Sequence, residues 1–216
     1  TLMGGLFGCS SMDAWGDYAG GGPLVVGRNW DTVRGPFDGY GRFLTAVVYN
    51  PPAPQNSVAD INYAGSISMQ TGMNSKGIFL DLQNGSSSDP LRYADRTPAE
   101  FRLFSFLLDS STAEQIDASF RAASPSMGLI INAADGNRLA SLASASVYEW
   151  ATYGVKRRTG SGLLASSNHF VDPAWTGLPA IDDGLPGGFS KERLANLLAR
   201  GSQYKGRIDE TRMMQI

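Results

Sequence analysis

Cys9 is the only cysteine among the 216 residues of the chain, and it lies between Gly8 and Ser10. One cysteine cannot form an internal disulfide, so its thiol either packs as a small hydrophobic group or does chemistry. An ordinary thiol, with a pKa of about 8.5, is mostly protonated at neutral pH, and a nucleophilic cysteine therefore needs a base. The sequence offers two bases: the only histidine, His169, and the α-amine that Cys9 would carry if the bond after Gly8 were cut.

The first alternative is a Cys9/His169 pair, in which the imidazole accepts the thiol proton. The segment Asn168-His169-Phe170 resembles the histidine segment of papain-like thiol proteases. Ser10 stands where that family has a tryptophan directly after the cysteine. This alternative predicts a thiol protease.

The second alternative joins nucleophile and base in one residue. The α-amine of a chain that starts at Cys9 has an unperturbed pKa of about 7.7–8.0, close to what a general base needs at neutral pH. Gly8 leaves its carbonyl open to attack by the thiol, and this N-to-S acyl shift cuts the chain. Residues 1–8 are then a propeptide remnant, and residues 9–216 form a single domain.

A second group of reactive residues follows in the segment Gly-Arg-Asn-Trp-Asp, which ends at Asp31. The predicted strand that contains it brings a guanidinium and a carboxylate to one place. Arg28 can lower the pKa of the Cys9 thiol, and Asp31 can anchor the new ammonium group. A structural ion pair between Arg28 and Asp31 in a turn gives the same pattern, so both interpretations stay open.

Four segments in this order, GCSS, GRNWD, GMNSKGIFLDLQN and SSNHF, resemble the N-terminal nucleophile hydrolases of the choloylglycine hydrolase, penicillin V acylase and isopenicillin N acyltransferase group. The resemblance runs from about Gly8 to Arg200. It implies an α+β fold, a four-layer αββα sandwich in which two stacked antiparallel sheets are flanked by helices. It also implies an amidohydrolase or acyltransferase that acts on linear, non-peptide acyl amides and activates itself by cleavage before Cys9.

The resemblance assigns three roles near the start of the chain. Cys9 matches the family's nucleophile. Arg28 and Asp31 match the arginine and aspartate that support the thiol and the amine of that cysteine. The same resemblance implies a missing C-terminal segment, because family members are longer.

Three further roles come from later segments. Asn84 ends the strand after GMNSKG, where bile-salt hydrolases have an asparagine of the oxyanion hole. Asn168 matches an asparagine near the nucleophile that helps to hold the intermediate. Arg193, in SKERLANLL, resembles a late active-site arginine of the acyltransferases. The family's catalytic set does not include His169, which we interpret as structural.

The rest of the sequence predicts the elements that must position these residues. Short apolar or alternating runs between Gly, Pro, Asn and Asp clusters indicate strands at Leu24–Gly27, Arg42–Asn50, Ser66–Thr71, Gly77–Asn84, Gly128–Gly136, Leu139–Ala151 and Gly162–Ser166. Capping boxes predict helices that start at Thr97 and Ser111, and further helices start at Ser190 and Asp209. The expected core-facing residues of the first two helices are Phe101, Phe104, Leu107, Leu108, Ile116 and Phe120.

Composition limits the function classes. Hydrophobic residues make up 42% of the chain and charged residues 18%, with a formal net charge of −2, which is typical of a globular domain. We find no basic cluster for nucleic acid and no apolar run that spans a membrane. No His/Cys cluster has metal-ligand spacing, so we expect neither a metal nor a cofactor.

The family resemblance implies a small-molecule acyl amide as the substrate. The Gly/Ser/Pro-rich segments Arg34–Tyr40 and Gly85–Pro90 are candidate specificity loops. Assembly into a homo-oligomer is compatible with the sequence. Its single cysteine fits a cytoplasmic protein and equally an exported one. The alternatives are the papain-like protease and an unprocessed binding protein of the same fold.

Overall fold

The computed structural model describes residues 7–32, 39–86, 92–136, 142–175 and 189–216. These residues form ten strands and four helices. The strands are β1 Phe7–Ala14, β2 Val25–Thr32, β3 Leu44–Tyr49, β4 Val58–Tyr63, β5 Thr71–Asn74, β6 Ile78–Ser86, β7 Gly128–Asp135, β8 Ser144–Ala151, β9 Gly154–Thr159 and β10 Leu163–Ser166. The helices are α1 Ala99–Asp109, α2 Ala113–Ala122, α3 Ser190–Gln203 and α4 Glu210–Met213.

The strands form two antiparallel sheets. One has three strands in the order β10-β1-β2, and the other has seven strands in the order β3 to β9. Each consecutive pair of strands in the large sheet is antiparallel. The chain passes through α1 and α2 between β6 and β7. In the small sheet, β1 is central and pairs with β2 on one side and β10 on the other.

Three apolar clusters separate four layers. The first lies between the large sheet and helices α1 and α2, with Leu80, Leu103 and Phe120 fully buried. The second lies between the sheets and includes Ile130 and Leu164. The third lies between the small sheet and helices α3 and α4. Its buried members are Met12, Ala14, Val25, Ala165, Ile208 and Met213. The predicted αββα sandwich is confirmed.

The two central helices start close to where the sequence predicts, with different caps. Pro98 caps α1 without a side-chain hydrogen bond, so the predicted capping box at Thr97 is wrong. In α2 the cap is Thr112, whose hydroxyl accepts from the amide of Gln115, and the Gln115 side chain accepts from Ser111 N. The box therefore exists one residue later than predicted.

The buried faces of these helices are partly as predicted. Ile116 and Phe120 of α2 are buried, as expected. In α1, Leu103 and Leu107 are buried, whereas Phe101 is 42% exposed. Phe101 was wrongly placed in the core: it is two residues from Leu103, about 200° around the helix, and so lies on the opposite face.

Two strand predictions need correction. The predicted strand at Ser66–Thr71 is wrong: only Thr71 of this segment belongs to a strand, and β5 runs on to Asn74. The turn that follows uses Gly77, whose φ of 86° favours glycine. Strands β1, β4 and β9 were not predicted. Most of the candidate specificity loops, residues 34–38 and 87–90, lies outside the described residues.

Candidate active site

Cys9 lies in the middle of the small sheet, with 4% of its surface exposed. In the register of β1 and β2 it is opposite Trp30. The β1–β10 pairing begins only at Ser11, opposite Ser166. The backbone N–H of Cys9 is directed to a side chain instead, and it donates to Asn168 Oδ1 at 2.6 Å.

Asn168 links three other predicted site residues. It follows β10 closely and is fully buried. Its Nδ2 donates to the backbone oxygen of Asn84 at 2.7 Å, and its Oδ1 also accepts from Arg193 Nη2 at 2.9 Å. Arg193 Nη1 lies 3.3 Å from the carbonyl oxygen of Cys9. Residues separated by up to 184 positions in the chain thus meet around one backbone nitrogen.

Arg193 reaches the nucleophile from the first turn of α3. The helix begins at Ser190, and it packs on strands β10 and β1 of the small sheet. A Cβ added to Gly8 would lie 2.8 Å from Arg193 Nη1. Glycine before Cys9 therefore lets the guanidinium lie against the bond that the second sequence alternative expects to be cut.

Arg28 lies on the same strand face as the nucleophile. It is opposite Ser11, which makes it the diagonal neighbour of Cys9 on a shared face. Its guanidinium donates to Thr71 Oγ1 and, at 2.8 Å, to the backbone oxygen of Leu82. These contacts hold Arg28 between the two sheets.

Asp31 lies opposite Gly8 in the β1–β2 register. Its backbone is therefore one position from Cys9, where the ammonium group of a cut chain would form. Its side chain lies outside the described residues. The predicted role of Asp31 in anchoring the amine stays a prediction.

Asn84 takes part in the site through its carbonyl oxygen, which accepts from Asn168. Successive side chains of a strand point to opposite faces. In β6, Gln83 faces the small sheet and bonds Ser11 and Ser166, so alternation places Asn84 on the other face. The β6–β7 register shifts directly after Asn84. The predicted oxyanion role of the Asn84 amide therefore stays a prediction.

His169 is tied to the start of α3. Its Nδ1 lies 2.7 Å from Ser190 Oγ and 3.2 Å from Ser167 Oγ. Ser167 Oγ also donates to the backbone oxygen of Ser190 at 2.8 Å. These bonds give His169 a structural role, in joining the segment after β10 to the helix that carries Arg193.

Sequence reasoning missed a buried polar cluster between the sheets. Its members are Ser11, Asp13, Asp81, Gln83, Asn132 and Ser166, all with 5% exposure or less. Burial raises the pKa of Asp13 well above its ordinary value and also raises that of Asp81, against which the charge of Arg28 acts. The signal was present in the strands, where Ser11, Asp13, Asp81 and Gln83 alternate with apolar residues.

Comparison with known proteins finds no matching protein-family model and no matching curated protein. Solved structures do match. The N-acylethanolamine-hydrolyzing acid amidase ortholog of Caenorhabditis elegans superposes with a TM-score of 0.67 at 14% identity, over 96% of this chain and 84% of that one.

Two structures of the conjugated bile acid hydrolase of Clostridium perfringens are also similar. An arginine-to-leucine variant has a TM-score of 0.58 at 14% identity, over 95% of this chain and 77% of that one. A cysteine-to-alanine mutant has a TM-score of 0.50 at 16% identity, over 77% of this chain and 55% of that one. This chain has the N-terminal nucleophile hydrolase fold.

Within this fold, the arrangement provides a thiol, the Arg193 guanidinium at the carbonyl of the same residue, the Arg28 side chain on the same strand face, and an amide oxygen on the backbone nitrogen. In the chain described here Cys9 N belongs to the peptide bond with Gly8, so it is a donor and not a base. Among the described residues, no group of three His, Cys, Asp or Glu side chains is placed to hold a metal ion. No helix in the described ranges is long and apolar enough to cross a bilayer.

Proposed function

We propose that this chain is a cysteine N-terminal nucleophile amidohydrolase that cuts itself between Gly8 and Cys9 and then cleaves a linear acyl amide. The observation that supports this most is the 2.6 Å hydrogen bond from Cys9 N to Asn168 Oδ1. Strand N–H groups usually pair with carbonyl groups of a neighbouring strand. After cleavage, the Cys9 α-amine keeps Asn168 Oδ1 as the acceptor for one of its N–H groups. That hydrogen bond orients the lone pair of the nitrogen toward the thiol.

Self-cleavage follows from the same contacts. The Cys9 thiol attacks the Gly8 carbonyl carbon; the S–C bond forms, the C–N bond breaks, and the nitrogen takes the thiol proton. The product is a thioester with a free α-amine. Water then hydrolyses the thioester, which releases the carboxyl end of Gly8 and restores the thiol. Arg193, beside Gly8, is placed near the charge that develops in this step.

Substrate turnover repeats this sequence on an external amide. The thiol attacks the acyl carbonyl while the Cys9 amine accepts its proton and then donates it to the leaving amine. Water, or an acceptor amine, releases the acyl group. Arg28 lowers the pKa of the thiol in this scheme, and Asp31 anchors the ammonium form of the amine.

The tetrahedral intermediate needs donors directed at its oxygen. We assign this role to a backbone N–H and to the Asn84 amide, which would have to turn toward Cys9 at the register shift that follows Asn84, and we assign Asn168 and Arg193 to holding the intermediate. One such donor contributes about 2.7–4 kcal/mol to the transition state in other enzymes. The stabilisation of the transition state is therefore divided among residues of β6, of the segment after β10 and of α3.

The names of the structural neighbours support the reaction class. One is named for hydrolysis of N-acylethanolamines and the other for hydrolysis of conjugated bile acids. A panel of bile-salt, penicillin V, N-acyl-homoserine lactone and ceramide-like amides would identify the acyl group. Turnover with and without an added acceptor amine would separate hydrolysis from acyl transfer.

The test is intact-mass measurement and N-terminal sequencing of a purified chain that includes the residues before Cys9. Self-cleavage predicts a mature chain that starts at Cys9, and no such product from the variant Cys9→Ala. A full-length active enzyme that loses activity in His169→Ala would support the papain-like protease instead. A full-length chain that does not react with a thiol probe would support the binding protein.

A further inference from the structure

Asp81 is the acidic residue of the buried cluster that meets Arg28. It is fully buried in β6. Ser11 Oγ donates to its Oδ2 at 2.6 Å, Gln83 Nε2 to its Oδ1 at 3.2 Å, and Asn132 Nδ2 lies 3.5 Å from Oδ2. Arg28 Nε lies 3.7 Å from Oδ1. A carboxylate surrounded by donors is stabilised in its charged form.

The charged and titratable groups around Asp81 come from each neighbouring strand. Asp13 of β1, whose own pKa is raised by burial and also by the Asp81 charge, lies in the same cluster. Arg28 of β2 lowers the pKa of Asp81, and hydrogen bonds from Ser11, Gln83 and Asn132 also lower it. Burial is the largest influence and raises the pKa. Among the groups that face Asp81, Arg28 is therefore the cation that balances the negative charge of the carboxylate.

The neighbours of Arg28 indicate that Asp81 sets the orientation of the Arg28 guanidinium. Thr71 and the Leu82 carbonyl bind the two ends of the guanidinium. Asp81 is on the side of Nε, and Ser11, which is opposite Arg28 in the β1–β2 register, bonds the same carboxylate. Ser11 is also two residues from Cys9, on the same strand face.

We propose that Asp81 is a positioning residue that holds the Arg28 guanidinium in place relative to the Cys9 thiol. The inference rests on the proposed function, in which Arg28 supports the thiol. Asp81 acts through Arg28 and does not touch the reacting atoms. The family resemblance did not point to this residue, which was absent from the residues expected at the site.

The direction in which the thiol pKa changes when Asp81 is neutralised distinguishes this role from simple charge compensation. If Asp81 only offsets the positive charge of Arg28, its neutralisation strengthens the field at the thiol and lowers the thiol pKa. If Asp81 holds Arg28 in place, its neutralisation lets the guanidinium move away, and the thiol pKa rises. A nearby opposite charge changes a pKa by about 1–3 units.

The experiment is a pH titration of the Cys9 thiolate by its ultraviolet absorbance, measured as a difference against Cys9→Ala. Cys9 is the only cysteine, so the signal belongs to one thiol. Asp81→Asn is expected to raise the thiol pKa by about one unit, which leaves about tenfold less thiolate at neutral pH. A lowered or unchanged thiol pKa in a folded Asp81→Asn protein would overturn the proposal.

A double-mutant cycle tests whether Asp81 acts through Arg28. Arg28→Gln is expected to raise the thiol pKa, and adding Asp81→Asn to it is expected to change nothing further. Additive shifts would contradict the proposed path. If Asp81→Asn does not fold, Thr71→Val, which removes another bond to the guanidinium, must raise the thiol pKa in the same direction; an unchanged value would overturn the proposal.

The matched control is Asp13→Asn. Asp13 is as buried as Asp81 and accepts from the same Asn132, at 3.0 Å. Its replacement should leave the thiol pKa unchanged, and a shift equal to that of Asp81→Asn would show a general effect of the cluster and overturn the proposal. The titration works on cut and uncut chains, so a failure of self-cleavage would reject the proposed function and leave this test readable.

Discussion

Replacement of Asn168 by alanine removes three hydrogen bonds at the centre of the site. The buried side chain accepts from Cys9 N at 2.6 Å and from Arg193 at 2.9 Å, and it donates to the Asn84 carbonyl at 2.7 Å. At about 1 kcal/mol for each neutral bond and about 1.5–3 kcal/mol for the charged one, the expected loss in free energy of unfolding is about 3–5 kcal/mol. For a chain of this length, each kcal/mol lowers the melting temperature by about 2–4 °C.

The same change should reduce chemistry in the molecules that remain folded. Without Asn168 the Cys9 nitrogen loses the acceptor Oδ1 and Arg193 loses its 2.9 Å bond to the same oxygen, so both groups at the cleavage site can move. Misplacement of a reacting group by about 1 Å costs about a hundredfold in rate. We expect Asn168→Ala to slow the appearance of the mature chain by at least that factor, measured by intact mass over time after the folded fraction is determined by circular dichroism.

Asn74→Ala is the matched control. Asn74 is also buried, and its Nδ2 donates to the Leu107 and Ser110 carbonyls at the end of α1, at 2.8 and 2.7 Å. It should lose similar stability with self-cleavage unchanged per folded molecule. Equal cleavage rates in folded Asn168→Ala and Asn74→Ala would refute the reasoning that Asn168 supports the Cys9 nitrogen.

Three further predictions follow from single residues. Gly8→Val should slow self-cleavage about tenfold, because its Cβ would displace Arg193 and misplace a charged group at the cleavage site; a mass time course at the wild-type rate would contradict this. Asp13→Asn should stabilise the fold increasingly as pH rises above about 4. Burial raises the Asp13 pKa in the folded protein, so the wild type loses stability as that carboxyl ionises in the unfolded chain. Urea unfolding at pH 4 and pH 8 measures the free energy of unfolding of both proteins, and a difference between them that does not change with pH would count against this prediction. Phe120→Ala should lower the free energy of unfolding by about 3–5 kcal/mol, since Phe120 is fully buried, without changing the thiol pKa; a change in that pKa would show that the outer core reaches the site.

The sequence predicted the layers well because they depend on local patterns. The apolar runs that became β7 and β8 and the stripe of α2 are long and regular. Strand β9 was missed because its segment, Gly154–Thr159, is mostly polar and at the edge of the sheet, where alternation is weak. The strand at Ser66–Thr71 was wrong because β-forming residues there precede a short strand that is fixed by pairing with β4 and β6.

The sequence identified residues of the site by their type, but it did not predict the geometry in which they meet. Motifs pointed to Cys9, Asn168 and Arg193, which do meet, although nothing in their spacing shows that they share one oxygen. A one-residue alternation decides whether Gln83 or Asn84 faces the small sheet, and no motif fixes that. The partnership of Asp81 with Arg28 depends on the stacking of two sheets, which a single strand pattern does not contain.

The most direct test of the central claim is to trap the acyl group on the nucleophile. Protein that is turning over an N-acyl amide is quenched in acid and digested, and the peptide that carries Cys9 is analysed by mass spectrometry. The account predicts a thioester on Cys9 in a peptide that begins at Cys9 with a free α-amine, and none in Cys9→Ala. Turnover without an adduct on Cys9, or an adduct on a peptide in which Gly8 is still attached, would contradict it.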